Sequence, residues 1–117
     1  MGKKILIVDD DAMNRKLAGM MLKKGQHEVE AVDCGDAGIE MLRKDTFDVL
    51  LLDVEMPGKN GIETLRQIRG EGLGKEMRVL FLTGNEESEV SSAIKELRAD
   101  GYIKKPFKPQ ELLEAVE

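Results

Sequence analysis

Five apolar runs alternate with five segments of helical period along this chain. That alternation predicts an α/β fold: a doubly wound, five-stranded parallel sheet with helices on both faces. Two of the runs, ILIV within KILIV and VLLL, are apolar without interruption, the pattern of strands buried on both sides. A length of 117 residues suits one domain with a single core.

The first strand (β1) is read at residues 4–8. The first helix (α1) is read over 12–24, where Met13, Leu17, Met20, Met21 and Leu22 fall at near-helical spacing and Gly25 supplies the stop. HEVEAV, residues 27–32, alternates and reads as a strand nearer the sheet edge (β2). Residues 36–44 are α2, with Ala37, Ile39, Met41 and Leu42 on its apolar face. VLLL at 49–52 is β3, and 61–69 is α3, with Ile62, Leu65 and Ile68 in one stripe. The last elements are β4 at 78–82, α4 at 86–98, β5 at 101–104 and α5 at 109–116, the last only about two turns long. There is no internal repeat, low-complexity tract or linker.

Composition narrows the function. A net charge of −5, no sustained basic stretch and only 3% aromatic residues argue against direct binding of nucleic acid. No apolar run approaches the roughly 20 residues of a membrane span, and the chain does not open on a secretory signal. A lone cysteine, Cys34, cannot form an internal disulfide, so a reducing cytoplasm is the simplest setting.

Polar groups gather where the strands end. Asp9 and Asp10 follow β1, Asp53 follows β3 in LLLDVEMPGKNG, Thr83 follows β4, and Lys105 follows β5. Ligands of doubly wound sheets bind outside the carboxyl ends of the strands, at the switch point of the strand order. With the order 2-1-3-4-5, β1 and β3 flank that crevice. The three carboxylates then meet at its centre, beside Thr83 and Lys105. Clustered carboxylates repel and raise one another's pKa unless a cation intervenes. Magnesium suits such oxygen donors, with Asp10 and Asp53 as direct ligands and Asp9 acting through water. A carboxylate beside Mg²⁺ and an ammonium group is placed to act as a nucleophile toward a phosphoryl group.

Asp9-Asp10, Asp53 with the following Met56-Pro57-Gly58, Thr83 and Lys105-Pro106-Phe107, in that order, resemble the receiver domain of two-component response regulators, CheY-like in fold. The resemblance covers essentially the whole chain. It implies that Asp53 accepts a phosphoryl group from the phosphohistidine of a sensor histidine kinase or a histidine phosphotransfer protein. It implies Mg²⁺, or Mn²⁺ in its place, on Asp10, Asp53 and the backbone carbonyl of Glu55, with Lys105 on the phosphoryl group and a cis Lys105–Pro106 bond. It implies a switch in which Thr83 moves toward phosphorylated Asp53, Tyr102 turns inward, and the α4–β5–α5 surface (residues 86–117) signals to an output domain or partner. A homodimer formed on phosphorylation belongs to the same expectation. Such a domain is not an enzyme in its own right but assists its own phosphorylation and dephosphorylation. Glu55 and Asn85 occupy the two positions that tune phosphoryl lifetime, and Gly84 leaves the site open to a donor.

The remaining residues have plainer readings. Asp11 is the N-cap of α1. Lys104 is turned away by strand alternation, leaving the site to Lys105. His27 is expected in an exposed turn, Cys34 in a loop, and the methionines as core fillers on helix faces. A phosphatase of the haloacid dehalogenase type finds Asp-x-Asp at Asp9 and Asp11, but it leaves Asp53 unexplained, and Met13 stands where its motif wants threonine or valine. A receiver-like module that binds partners without phosphorylation is disfavoured by the intact acidic set. A nucleotide-binding flavodoxin-like domain lacks its glycine-rich loop after β1. Both a standalone regulator and one domain of a longer chain fit the sequence, and Asn14-Arg15 resembles receivers attached to hybrid kinases or cyclic-dinucleotide enzymes.

Overall fold

A computed structural model describes residues 2–84 and 87–117. The elements follow in strict alternation: β1 Lys4–Val8, α1 Ala12–Lys24, β2 Glu28–Val32, α2 Gly35–Lys44, β3 Val49–Asp53, α3 Gly61–Gly70, β4 Arg78–Thr83, α4 Glu87–Leu97, β5 Gly101–Lys104 and α5 Pro109–Val116. The strands form one parallel sheet in the order β2-β1-β3-β4-β5. This is the expected doubly wound sheet, and the expected boundaries agree to within a residue or so. The expected first residue of α4, Glu86, lies outside the described residues, as does Asn85.

Side chains of the central strands alternate between two cores, which is why those strands are apolar throughout. Leu6, Val8, Leu50, Leu52, Val79 and Phe81 pack with α2, α3 and α4, around Ile39, Leu65, Ile68 and Leu97. Ile5, Ile7, Val49, Leu51, Leu80 and Leu82 pack with α1 and α5, around Ala18, Leu22, Leu112 and Val116. The edge strand β2 is half-solvated and reads Glu28, Glu30 and Ala31 outward.

Two sequence expectations fail, and packing explains each. The apolar residues of α1 do not all face inward: the helix seats on Ala18 and Leu22, leaving Met13 62%, Leu17 41% and Met20 59% exposed. These side chains are therefore not core fillers. Small Ala18 lets the helix approach the sheet, so little depth is left for larger neighbours. His27 is buried at 7% exposure, its Nδ1 accepting from the Lys3 backbone amide at 3.0 Å. Gly25 is the C-cap of α1, as expected, with φ −81°, and the left-handed position falls to Gln26 at φ 68°. Gly25 is needed for space instead, since a Cβ there would stand 2.5 Å from Leu113 Cδ2 of α5.

Candidate functional site

The turn after β1 is built by its own aspartates. Asp11 caps α1 by accepting from the amides of Met13 and Asn14. Asp9, fully buried, accepts from the Asp11 amide through Oδ1 at 3.0 Å. Asp10 is exposed at the lip between them. Across the crevice Asp53 ends β3 with 2% exposure, and its Oδ1 accepts from the Glu55 amide at 3.3 Å. Gly61 lets α3 start against this loop: a Cβ there would lie 2.2 Å from the Asp53 carbonyl oxygen. Asn60 then caps α3 in a reciprocal box with Glu63.

Parallel pairing of β3, β4 and β5 brings the other strand ends alongside. Thr83 is buried and pairs in register with Lys104, and its carbonyl accepts from the Lys105 amide at 2.8 Å. The Lys105–Pro106 bond is cis. Lys105 Nζ lies 3.0 Å from both Asp53 Oδ1 and Asp9 Oδ2. Lys104, its neighbour, is exposed. Gly84 is exposed with open space around its Cα. Tyr102 stands on β5 at 36% exposure, and Glu55 is exposed at the rim.

The electrostatics of this arrangement are strained. Carboxylate oxygens of Asp9, Asp10 and Asp53 lie within 4.8 Å of one another. Burial pushes the Asp53 carboxyl up to about 7; the Lys105 hydrogen bond pulls the other way, while the Asp9 charge adds to the rise. Burial pulls the Lys105 ammonium down, but its bonds to Asp53 and Asp9 outweigh this and leave it raised. Asp9 Oδ2 is buried with no hydrogen-bond partner of proper geometry, although the Lys105 ammonium stands at ion-pair distance. One cation among three carboxylates leaves an excess of negative charge facing a crevice. Oxygen donors at this spacing, with two of the three carboxylates sharing the Lys105 ammonium, fit a hard divalent cation.

A cleft of about 760 Å³ lined by Arg69, Lys75, Arg78 and Arg98 lies at the opposite, amino-terminal end of the sheet. Its Arg69 guanidinium is spent on the carbonyls of Leu97, Gly74 and Arg98, which marks it as structural.

Residues 5–117 match the response regulator receiver domain family. The chain belongs to that family. The transcriptional regulatory protein ResD of Bacillus subtilis is 38% identical over 112 residues, covering 94% of this receiver and 45% of ResD. The phosphate regulon regulatory protein PhoB of Escherichia coli is 34% identical over 118 residues, covering all of this receiver and 51% of PhoB. The receiver thus spans about half the length of these relatives. Among solved structures, the chemotaxis protein CheY4 of Vibrio cholerae superposes with a TM-score of 0.92 at 31% identity, covering 99% of this chain and 97% of that one. A CheY-like receiver from Methanospirillum hungatei gives 0.85 at 30% identity, over 96% and 89%. Receiver domains of this family typically bind Mg²⁺.

One residue at the site escaped the sequence reading as a contributor to it. Arg15 donates from Nη1 to the Asp9 carbonyl oxygen at 2.7 Å. Its sequence signal is a cation in the first turns of a helix, where the dipole disfavours positive charge.

Proposed function

We propose that this receiver takes a phosphoryl group from a phosphohistidine onto Asp53. The observation that carries the reading is Asp53 itself: a buried carboxylate at a strand end, bonded to Lys105 and crowded by Asp9 and Asp10. An Asp53 carboxylate oxygen forms the new bond to phosphorus as the phosphorus–nitrogen bond to imidazole breaks. The imidazole leaves with the bonding pair and regains its proton from solvent. Lys105 orients Asp53 beforehand and neutralises the equatorial phosphoryl oxygens during transfer, and the Thr83 hydroxyl donates to one of them. Asp10, Asp53 and the Glu55 backbone carbonyl would hold Mg²⁺ or Mn²⁺, with Asp9 reaching it through water. Bound there, the cation supplies charge neutralisation for the carboxylates and the phosphoryl oxygens.

In this reading the aspartyl phosphate biases a two-state equilibrium. Thr83 moves toward the phosphoryl group, Tyr102 turns in from its exposed position on β5, and the α4–β5–α5 surface presents a changed face to an output domain, a partner or a second copy. The donor is a protein, a sensor kinase or a phosphotransfer protein. The exposed stripe of Met13, Leu17 and Met20 beside the acidic turn supports that choice, since it offers apolar area a small phosphodonor does not need. A cytoplasmic setting fits the unpaired Cys34. Glu55 and Asn85 tune how long the phosphoryl group survives; in Glu55→Asn the dephosphorylation rate should change, and an unchanged rate removes Glu55 from that role.

Incubation with acetyl phosphate and Mg²⁺, followed by intact mass, tests the reading. The wild type should gain one phosphoryl group, and the gain should vanish in Asp53→Asn or without metal. A wild type that stays unlabelled, and also ignores a beryllofluoride mimic, overturns it.

A further inference from the structure

We infer that Arg15 is a positioning residue for the divalent-cation site, acting through the backbone of the β1–α1 turn; this deepens the reading above and rests on it. Asp10 is the exposed member of the carboxylate trio, and its carboxyl faces that of buried Asp53. Its orientation depends on the turn. Asp9 is fixed at its amide, which donates to the Val32 carbonyl at 3.2 Å, and at its side chain, which accepts from the Asp11 amide. Asp11 is fixed by capping α1. The peptide joining Asp9 to Asp10 is held between them by Arg15 Nη1, which donates to its carbonyl oxygen at 2.7 Å. Rotation of that peptide would swing Asp10 away from Asp9 and Asp53, and the Arg15 bond opposes the rotation. A charge-assisted bond of this length is stronger than a neutral one.

The placement is costly on electrostatic grounds, which makes the claim sharp. A guanidinium near the helix N-terminus is disfavoured by the dipole, and near a cation site it repels the cation. Were charge its only influence, removing Arg15 would tighten metal binding. Were positioning dominant, removal would loosen it. The two ideas predict opposite signs.

The experiment is a titration of the intact protein with Mn²⁺, reading free metal by electron paramagnetic resonance well below the melting temperature. Arg15→Met keeps most of the aliphatic stem and removes the donor; its affinity should fall about tenfold. Arg15→Gln, polar but shorter, should match it and decides alone if the methionine variant fails to fold. Lys16→Met, on the next and exposed position, should leave affinity unchanged. At saturating Mg²⁺ the acetyl phosphate labelling rate of Arg15→Met should return to within about twofold of wild type, the recovery expected when ligand placement rather than the nucleophile is affected. Unchanged or tighter Mn²⁺ binding in the Arg15 variants overturns the inference, as does an equal loss in Lys16→Met. A wild type that binds no Mn²⁺ instead overturns the reading of the site as a cation site.

Discussion

Strand β3 has an aspartate at each end, and the two could hardly be more differently housed. Asp48, just before the strand, is exposed, and its Oδ2 accepts from the Lys4 amide at 2.8 Å. Its own amide and carbonyl pair with Lys4 and Arg78, so it ties three strands together at their amino ends. Asp53, five residues on, is buried against two other carboxylates and a lysine, with its pKa pushed up to about 7. The charges around Asp48 are of the same kind: Lys4 pairs with Asp45 and approaches Glu28. Those groups are solvated, so water screens them and they only trim the fold. At the carboxyl end the same side chains are withdrawn from water without full compensation. One end of the strand is electrostatically settled and the other is left with uncompensated negative charge, on which the proposed cation and phosphoryl chemistry rests.

The largest expected contrast is in labelling. Asp53→Asn should abolish phosphoryl gain from acetyl phosphate, whereas Asp48→Ala should label at close to the wild-type rate. If both variants label alike, the distinction between the two ends has no functional content. Next comes Lys105→Met, which leaves the buried Asp9 and Asp53 without their cation. Its labelling rate should fall by about 100-fold, of the order seen when one preorganised donor is lost. A near-normal rate would leave Lys105 only a structural part.

Stability should then separate the ends with opposite signs. In metal-free protein, Asp53→Asn removes a crowded buried charge and should raise the melting temperature at pH 8 by roughly 5 °C. Asp48→Ala loses one solvated hydrogen bond and should lower stability by about 1 kcal/mol or less. Calorimetry on the two variants checks both.

Acidity sharpens the same contrast. A carboxyl with its folded pKa raised to about 7 binds its proton more tightly folded than unfolded, so stability falls as pH rises between about 4 and 7. Metal-free wild type should therefore lose melting temperature from pH 5 to pH 8 by more than Asp53→Asn does, and Mg²⁺ should recover more of it at pH 8 than at pH 5. Parallel pH profiles for the two proteins would show that Asp53 is not the strained group. The smallest effect belongs to Asp45→Asn, whose exposed pairing with Lys4 should shift the melting temperature by no more than about 2 °C.

Most of the frame was readable from sequence because its causes are local. Continuous apolar runs follow from burial on both faces, and helical stops and starts follow from capping chemistry. Asp11 and Asn60 are caps that act within their own turns. The convergence of Asp9, Asp10, Asp53, Thr83 and Lys105 was also legible, because a parallel sheet puts every strand's carboxyl end on one side. What escaped was governed by contacts between distant segments. Met13, Leu17 and Met20 have the spacing of a buried stripe, yet α1 rests on Ala18 and Leu22 instead. His27 looked like a turn residue, yet the Lys3 amide and Leu113 of α5 close over that corner.

The sequence by itself determined the alternation of strands and helices, the apolar centre of the sheet, and which residues stand at the strand ends. Those are properties of short stretches, set by period, size and hydrogen-bonding chemistry. Only the tertiary structure decided that Asp53 is buried while Asp48 is not, that Lys105 reaches Asp9 and Asp53 together, and that Arg15 closes the turn over Asp9. Charge and burial become energies only once the separation of groups and their distance from water are fixed, and that happens when the five strands are laid side by side.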